Sequence, residues 1–409
     1  MMRRLLTACT LLFVLTAVMA QHRTFDPQVK SLQVIVNNDW LSPPVLTLGN
    51  HEVMTVCFDR LTHEYCQYSY HLEHCEADWS TSEEIFESNW LQGFNDQPID
   101  DYETSINTTV PYTHYSLCLP NELTQLKISG NYRLSIIDED GEVAVEVRFM
   151  VLEPLMQVAM AATTNTDIDV NHNHQQLSMK LNYGPANVTN VEEQLYTVVT
   201  QNQRWENAVR NPAPNMRNQN GLQWDHNRAL IFDAGNEYHK FEILDVSHTT
   251  MGLSNISWDG EAYNAYPYSD EPRRNYLTDE DADGAFIIRN SDNIEINTTC
   301  DYVRVHYELR TPPLPDDVVI SGQWTTDADP AAYQMEYDHE AHCYRATIWQ
   351  KQGYYNYQYR LRHRDGSTTI APTEGSYYQA SNSYQAYIYY KGIGERTWRL
   401  VGYRQLVFR

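Results

Sequence analysis

Residues 68–121 read YSYHLEHCEADWSTSEEIFESNWLQGFNDQPIDDYETSINTTVPYTHYSLCLPN. The stretch opens with Tyr68, Tyr70 and Leu72 alternating with other residues, the period-two pattern of a strand with one buried face. It closes on a second strand-like run, Tyr112–Leu119. Between the two lies a polar segment too long for a hairpin turn, interrupted by Trp79, Trp90, Leu91 and Phe94. Connections longer than about 12–15 residues that carry their own apolar anchors are usually compactly folded or functional, since a slack loop has nothing for aromatics to pack on. The stretch therefore predicts two strands of a sheet protein joined by a packed crossing segment.

Outward from it, strand patterns recur at Gln33–Val36, Val45–Thr47, Val53–Phe58, Asn131–Ile137 and Ala144–Val151. The last two are joined by Asp138-Glu139-Asp140-Gly141, an Asp-Gly turn signal. With the two strands of the opening stretch this makes seven short runs, the count of an immunoglobulin-like β-sandwich over residues 21–153. Residues 154–309 form a β-rich middle region, with strands expected at Gln175–Leu181, Glu193–Thr200, Ala229–Asp233, Tyr238–Asp245, Ala285–Ile288 and Val303–Tyr307. Asn202–Asn220, polar and carrying Pro212 and Pro214, reads as a loop or lid. Ser82–Ser88 has a capping pattern from Ser80 to Glu83 but no helical period, so it reads as a loop turn. Pro312, Pro313 and Pro315 make residues 310–317 a stiff linker. Residues 318–409 follow as a C-terminal sandwich of the early-set type, from the order apolar strand, Gly322-Gln323-Trp324, strand, then GYYNYQYRLRHRDG (353–366). The fold class is all-β and multi-domain.

At the start, Arg3 and Arg4 precede the apolar run Leu11–Val18 and the small-residue site Val18-Met19-Ala20, so residues 1–20 read as a cleavable secretory signal peptide. A lipoprotein reading through Cys9 is weaker, because that cysteine precedes the apolar run. No later segment approaches the ~18 apolar residues of a spanning helix. The formal charge of −25 repels phosphate backbones and anionic lipid headgroups, which excludes nucleic acid as a partner. Tyrosine outnumbers phenylalanine 30 to 10, a bias suited to half-buried sheet faces and contact surfaces. Six cysteines follow the signal, an even number that permits disulfides without demanding them.

Chemistry-bearing motifs are sparse. Asp279-Glu280-Asp281-Ala282-Asp283-Gly284 begins like a calcium loop, yet its twelfth position is Asn290 where a bidentate glutamate belongs, so a solvated acidic hairpin is expected. His63, His71, His74, Cys75, His172 and His174 show none of the close paired spacings of a structural zinc site. Cys75 beside His74 is a neighbour in sequence only, and a catalytic base must be a neighbour in space. Adjacent carboxylates such as Asp100-Asp101 and Asp316-Asp317 diverge in extended chain and cannot flank one bond. With no nucleophile elbow, zinc-helix or phosphate-loop motif, the expectation is a non-enzyme without metal or cofactor.

Three blocks in order, HCEADW (74–79), NWLQGFNDQPIDDYETSINT (89–108) and YTHYSLCLPN (112–121), resemble the signature of the type IX secretion system plug protein family. SGNYRLSIID (129–138), RRNYLTDEDADGAF (273–286) and EGSYYQASNSYQAYIYYKGIGERTWRLVGY (374–403) fit the same family. The resemblance implies an exported periplasmic protein, monomeric in its complex. It would sit at the periplasmic mouth of the giant outer-membrane translocon β-barrel and block the lumen when no cargo is present. Within the crossing segment the candidate contacts are Trp90 and Phe94 as aromatic anchors, with Asp96, Asp100, Asp101 and Tyr102 as polar and acidic partners; the competing reading is that Trp90, Leu91 and Phe94 pack the segment onto its own sandwich. The alternative is a periplasmic carbohydrate-binding or polysaccharide-processing accessory, in which Trp324 and nearby tyrosines stack on sugars.

Overall fold

The computed structural model describes residues 22–326 and 328–409; the expected signal peptide lies outside them. All seven strands expected in the first region are present, at Val29–Val36, Val45–Thr47, Met54–Arg60, Ser69–Cys75, Thr113–Leu119, Gly130–Ile137 and Val143–Leu152. Alternation does what the sequence implies. Across three neighbouring strands the register stacks Tyr70, Ile136 and Val145, then Leu72, Leu134 and Val147, then His74, Tyr132 and Phe149. These rows face Met54, Val56 and Phe58 and their partners Leu119, Leu117 and Tyr115 on the opposed sheet, which runs Val29–Val36, Met54–Arg60, Thr113–Leu119, Asp101–Thr104. Each such aliphatic side chain taken fully out of water contributes ~1.5–3 kcal/mol.

The strand pairing does not follow the expected succession of three units. The inner sheet of the first sandwich continues through a parallel contact, Leu152 with Leu400, into the C-terminal strands Arg399–Phe408 and Asn382–Tyr390, and on to Leu195–Gln201 and Arg204–Arg210. This makes one ten-stranded sheet. Its far half is covered by a five-stranded sheet that includes Gln157–Thr163, His174–Asn182 and Gly221–Trp224. The shared core holds Leu177, Met179, Leu181, Leu195 and Val199 together with Tyr384, Ala386, Ile388 and Val401. The last strands of the chain thus complete the second sandwich, not the third.

The third sandwich draws on residues from both sides of the proline segment. Phe241, Ile243, Val303, Val305 and Tyr307 share one core with Val318, Ile320, Tyr355 and Tyr359. Residues 310–317 are therefore a rigid turn inside this sandwich and no linker: Arg310 N–H donates to the Asp270 carbonyl (2.8 Å) and Leu314 N–H to the Tyr344 hydroxyl (2.8 Å). Proline stopped the ladder locally, as expected, but the flanking strands Tyr302–Leu309 and Asp317–Ser321 lie in two different sheets that share one core. Asn202–Asn220, read as a loop, contains the strands Arg204–Arg210 and Met216–Asn218. Among the described residues no helix is long and apolar enough to cross a membrane.

Candidate functional site

The crossing segment is built from short pieces, each tied to the sandwich. A single helical turn at Glu87–Trp90 starts where Phe86 N–H donates to the Asn89 side-chain oxygen (2.9 Å). Leu91–Gly93 then pairs with Thr124–Leu126. Gly93 sits at φ +107, and a Cβ there would overlap the Leu123 carbonyl oxygen, so no other residue fits this close approach. Gln97–Pro98 pairs with Ser69–Tyr70 at the edge of one sheet, and Asp101–Thr104 joins the edge of the other. The segment bridges the two layers.

This construction separates the expected contact residues. Trp90 is 6% exposed and meets Tyr132 edge-on at 5.9 Å, so it anchors the segment to its own core and is not available to a partner. Phe94 is 67% exposed beside Leu123, whose carbonyl accepts its N–H (2.9 Å). Asp96 pairs with His71 at 2.7 Å. Asp100, Asp101 and Tyr102 are all exposed, with Tyr102 packed against Tyr65 at 4.9 Å. Phe94 and the acidic trio therefore lie on the surface, while Trp90 lies beneath it.

HCEADW forms a clamp. Glu76 accepts from the Thr397 hydroxyl (2.9 Å) and the Trp398 N–H (3.1 Å). His74 Nδ1 lies 2.8 Å from the Ser82 hydroxyl, which lies 3.1 Å from the Thr397 hydroxyl. Trp79 meets Trp205 edge-on at 5.8 Å and lies under the Arg148 guanidinium at 5.6 Å. The motif thereby fastens the first sandwich to the C-terminal hairpin and the second sandwich, a role the sequence did not reveal. Burial pushes the His74 imidazole down to about 4 and the Cys75 thiol up to about 12, which leaves this pair neutral and unreactive near neutral pH.

A second fastening joins the first and third sandwiches. Asp59 and Lys351 are both buried, with Nζ 2.7 Å from Oδ2. The same carboxylate accepts from the Tyr302 hydroxyl (2.7 Å) and lies 2.7 Å from His114 Nδ1. Lys351 also donates to the Asn297 carbonyl (2.9 Å) and sits 4.1 Å above the Tyr112 ring. Burial works against ionisation of Asp59, but Lys351 and His114 outweigh it and hold its carboxyl below the ordinary range. Asp301 closes the joint, accepting from Thr109 N–H (2.8 Å), the Thr109 hydroxyl (2.7 Å) and Val110 N–H (3.2 Å).

The other candidates have structural partners. Asp279–Gly284 is an irregular loop and not the solvated hairpin expected: Lys240 Nζ meets Asp279 at 2.7 Å, and Asp281 accepts from the N–H groups of Tyr238 and Asp283. Burial raises the carboxyls of Asp281 to about 7 and Asp283 to about 6. His174 pairs with Asp169 at 2.6 Å, and His63 Nε2 lies 2.9 Å from the Ser105 hydroxyl. Among the described residues no group of three or more His, Cys, Asp or Glu is placed to hold a metal ion. All six described cysteines are free thiols. Trp324 is 7% exposed, donates to the Asn356 carbonyl (2.8 Å) and packs against Tyr307, Tyr333 and Tyr355, so it is not the sugar platform of the alternative reading.

These features define an all-β protein of interlocked sandwiches whose distinctive segment is a shaped surface. Residues 29–153, which hold the seven main strands of the first sandwich, match the family model of the type 9 secretion system plug protein 1st domain. A crystal structure of a hypothetical protein from Parabacteroides merdae is similar over 96% of this chain and 100% of that one, at 36% identity and a TM-score of 0.92. A search of curated proteins found no match. The chain belongs to the type IX secretion system plug protein family.

Proposed function

We propose that this protein is a non-enzymatic, periplasmic component of the type IX secretion system that plugs the periplasmic side of the outer-membrane translocon barrel when cargo is absent. The observation that carries the reading is the family match, which spans the entire crossing segment. The architecture supports it. A plug must resist deformation, and here a shared ten-stranded sheet and two buried polar joints hold three sandwiches as one body. A releasable contact calls for a few exposed anchors ringed by polar groups, which Phe94 and Asp100–Tyr102 supply at the surface. The protein acts as a monomer in the complex and needs no cofactor.

The test is copurification from the native envelope. The tagged protein should bring down an outer-membrane β-barrel, and its deletion should make the outer membrane leak small toxic compounds. A tagged, folded protein that captures no barrel, in cells whose outer membrane stays sealed without it, would refute the plug reading.

A further inference from the structure

Among the described residues Asp101–Thr104 pairs on one side only, with Thr113–Leu119, and ends its sheet. The parity of the strand says what its free side offers. Ser105 N–H donates to the Tyr112 carbonyl (2.8 Å), so in this antiparallel ladder the odd residues Asp101, Glu103 and Ser105 bond inward. The backbone groups of the even residues point outward, and Ile106 shows it: its N–H reaches across to the Thr298 carbonyl (2.8 Å) of the third sandwich. Tyr102 and Thr104 keep the same outward orientation, and no strand of the described residues lies beside them.

The unpaired edge faces a cleft of about 690 Å³ lined by Tyr102, Glu103, Thr104, Ile106 and the helical turn region Glu295–Thr298. Its two walls are fixed to each other by the buried Asp59–Lys351 pair and the half-buried Asp301–Thr109 contact, so the cleft is preformed. Short edges are commonly guarded by lysine, proline or a bulge. This one carries none of these; its guard is acid alone. The exposed side chains of Asp100, Asp101, Glu103 and Glu295 have no ion-pair partner among the described residues. Single-signed acid repels a second copy of a chain with net charge −25 and favours an occupant of opposite charge.

We propose that the outer edge of Asp101–Thr104 accepts an extended, basic polypeptide segment as an added strand, bonded to the backbone of Tyr102 and Thr104 and flanked by Asp101, Glu103 and Glu295. Main-chain bonds supply the adhesion in this mode, and alternate side chains supply selectivity. The inference deepens the plug reading, on which it rests only for the identity of the natural partner, a basic segment of the translocon.

The experiment uses the intact protein and a capped nine-residue peptide alternating lysine and threonine, with a glutamate–threonine peptide as control. Residue-resolved hydrogen exchange should show the lysine peptide slowing Tyr102 and Thr104 amides at least tenfold and the glutamate peptide leaving them unchanged. Thr104→Pro removes an outward N–H that serves no ladder bond, at an exposed position, so it should leave melting unchanged and weaken peptide binding at least tenfold. Should that variant fail to fold, a lysine peptide N-methylated at every residue, which has no N–H on either edge, should give no protection on the parent protein. Unchanged exchange at both amides under saturating lysine peptide, protection spread over the acidic surface without these two, or equal binding by the N-methylated peptide would each overturn the proposal. The two readings fail separately: a barrel that holds the parent and a folded Thr104→Pro variant equally sinks the added strand and spares the plug.

Discussion

Replacing Lys351 by methionine is the sharpest test of how the sandwiches are joined. The side chain sits 2.7 Å from Asp59, and both are buried. Methionine keeps most of the stem volume and removes the charge. Asp59 would then retain the Tyr302 hydroxyl and His114 but lose its cation, and breaking one partner out of a buried pair costs about 3–5 kcal/mol because the remaining charge is uncompensated. At roughly 2–4 °C per kcal/mol for units of this size, calorimetry should record a fall of about 6–20 °C. Adding Asp59→Asn removes the stranded charge, so the double variant should recover part of the loss, with a coupling of about 1–3 kcal/mol. Acid should bring the parent toward the variant. The native Asp59 carboxyl lies below its ordinary value of 3.8, so its contribution is complete above that value and is lost as pH falls through the lowered native one. A Lys351→Met protein that melts within ~1 °C of the parent, or a double variant showing no coupling, would refute the claim that this pair holds the joint.

Gly93→Ala should cost ~2 kcal/mol or more, read by urea unfolding, because the new Cβ collides with the Leu123 carbonyl and φ is +107. Trp90→Ala should destabilise by about 3–5 kcal/mol, while Phe94→Ala, at an exposed site, should change stability by less than about 0.5 kcal/mol. Asp100→Lys with Asp101→Lys should likewise leave thermal stability within about 0.5 kcal/mol yet weaken recovery of the barrel in pull-downs; undiminished recovery and an intact seal would remove these residues from the contact. Under native conditions a thiol reagent should label Cys118, which is exposed, ahead of Cys66, Cys75, Cys300 and Cys343, which should react only on denaturation.

The strands of the first sandwich were legible in the sequence because alternation is a local property. Tyr68, Tyr70 and Leu72 must share a face wherever the strand lies, and all three are buried. The packed nature of the crossing segment was legible for a similar reason, since Trp90 and Leu91 would have no use in a slack loop. The sequence could not say which aromatic points inward. Trp90 ends a helical turn that aims it at Tyr132, and Phe94 follows a left-handed glycine that turns the chain outward; both are equally apolar on paper. Nor could period-two patterning name a strand's neighbour. Asn382–Tyr390 reads as a strand in any setting, but only the folded chain pairs it with Leu195–Gln201, nearly two hundred residues earlier, and only the core shared by Val305 and Val318 makes residues 310–317 an internal turn. His74-Cys75-Glu76 carries the residue types of a reactive site, and tertiary packing against Thr397 and Trp398 makes it a clamp. Alternation fixes which face of a strand is buried; the partner that buries it is chosen by contacts distant in sequence, and those exist only in three dimensions.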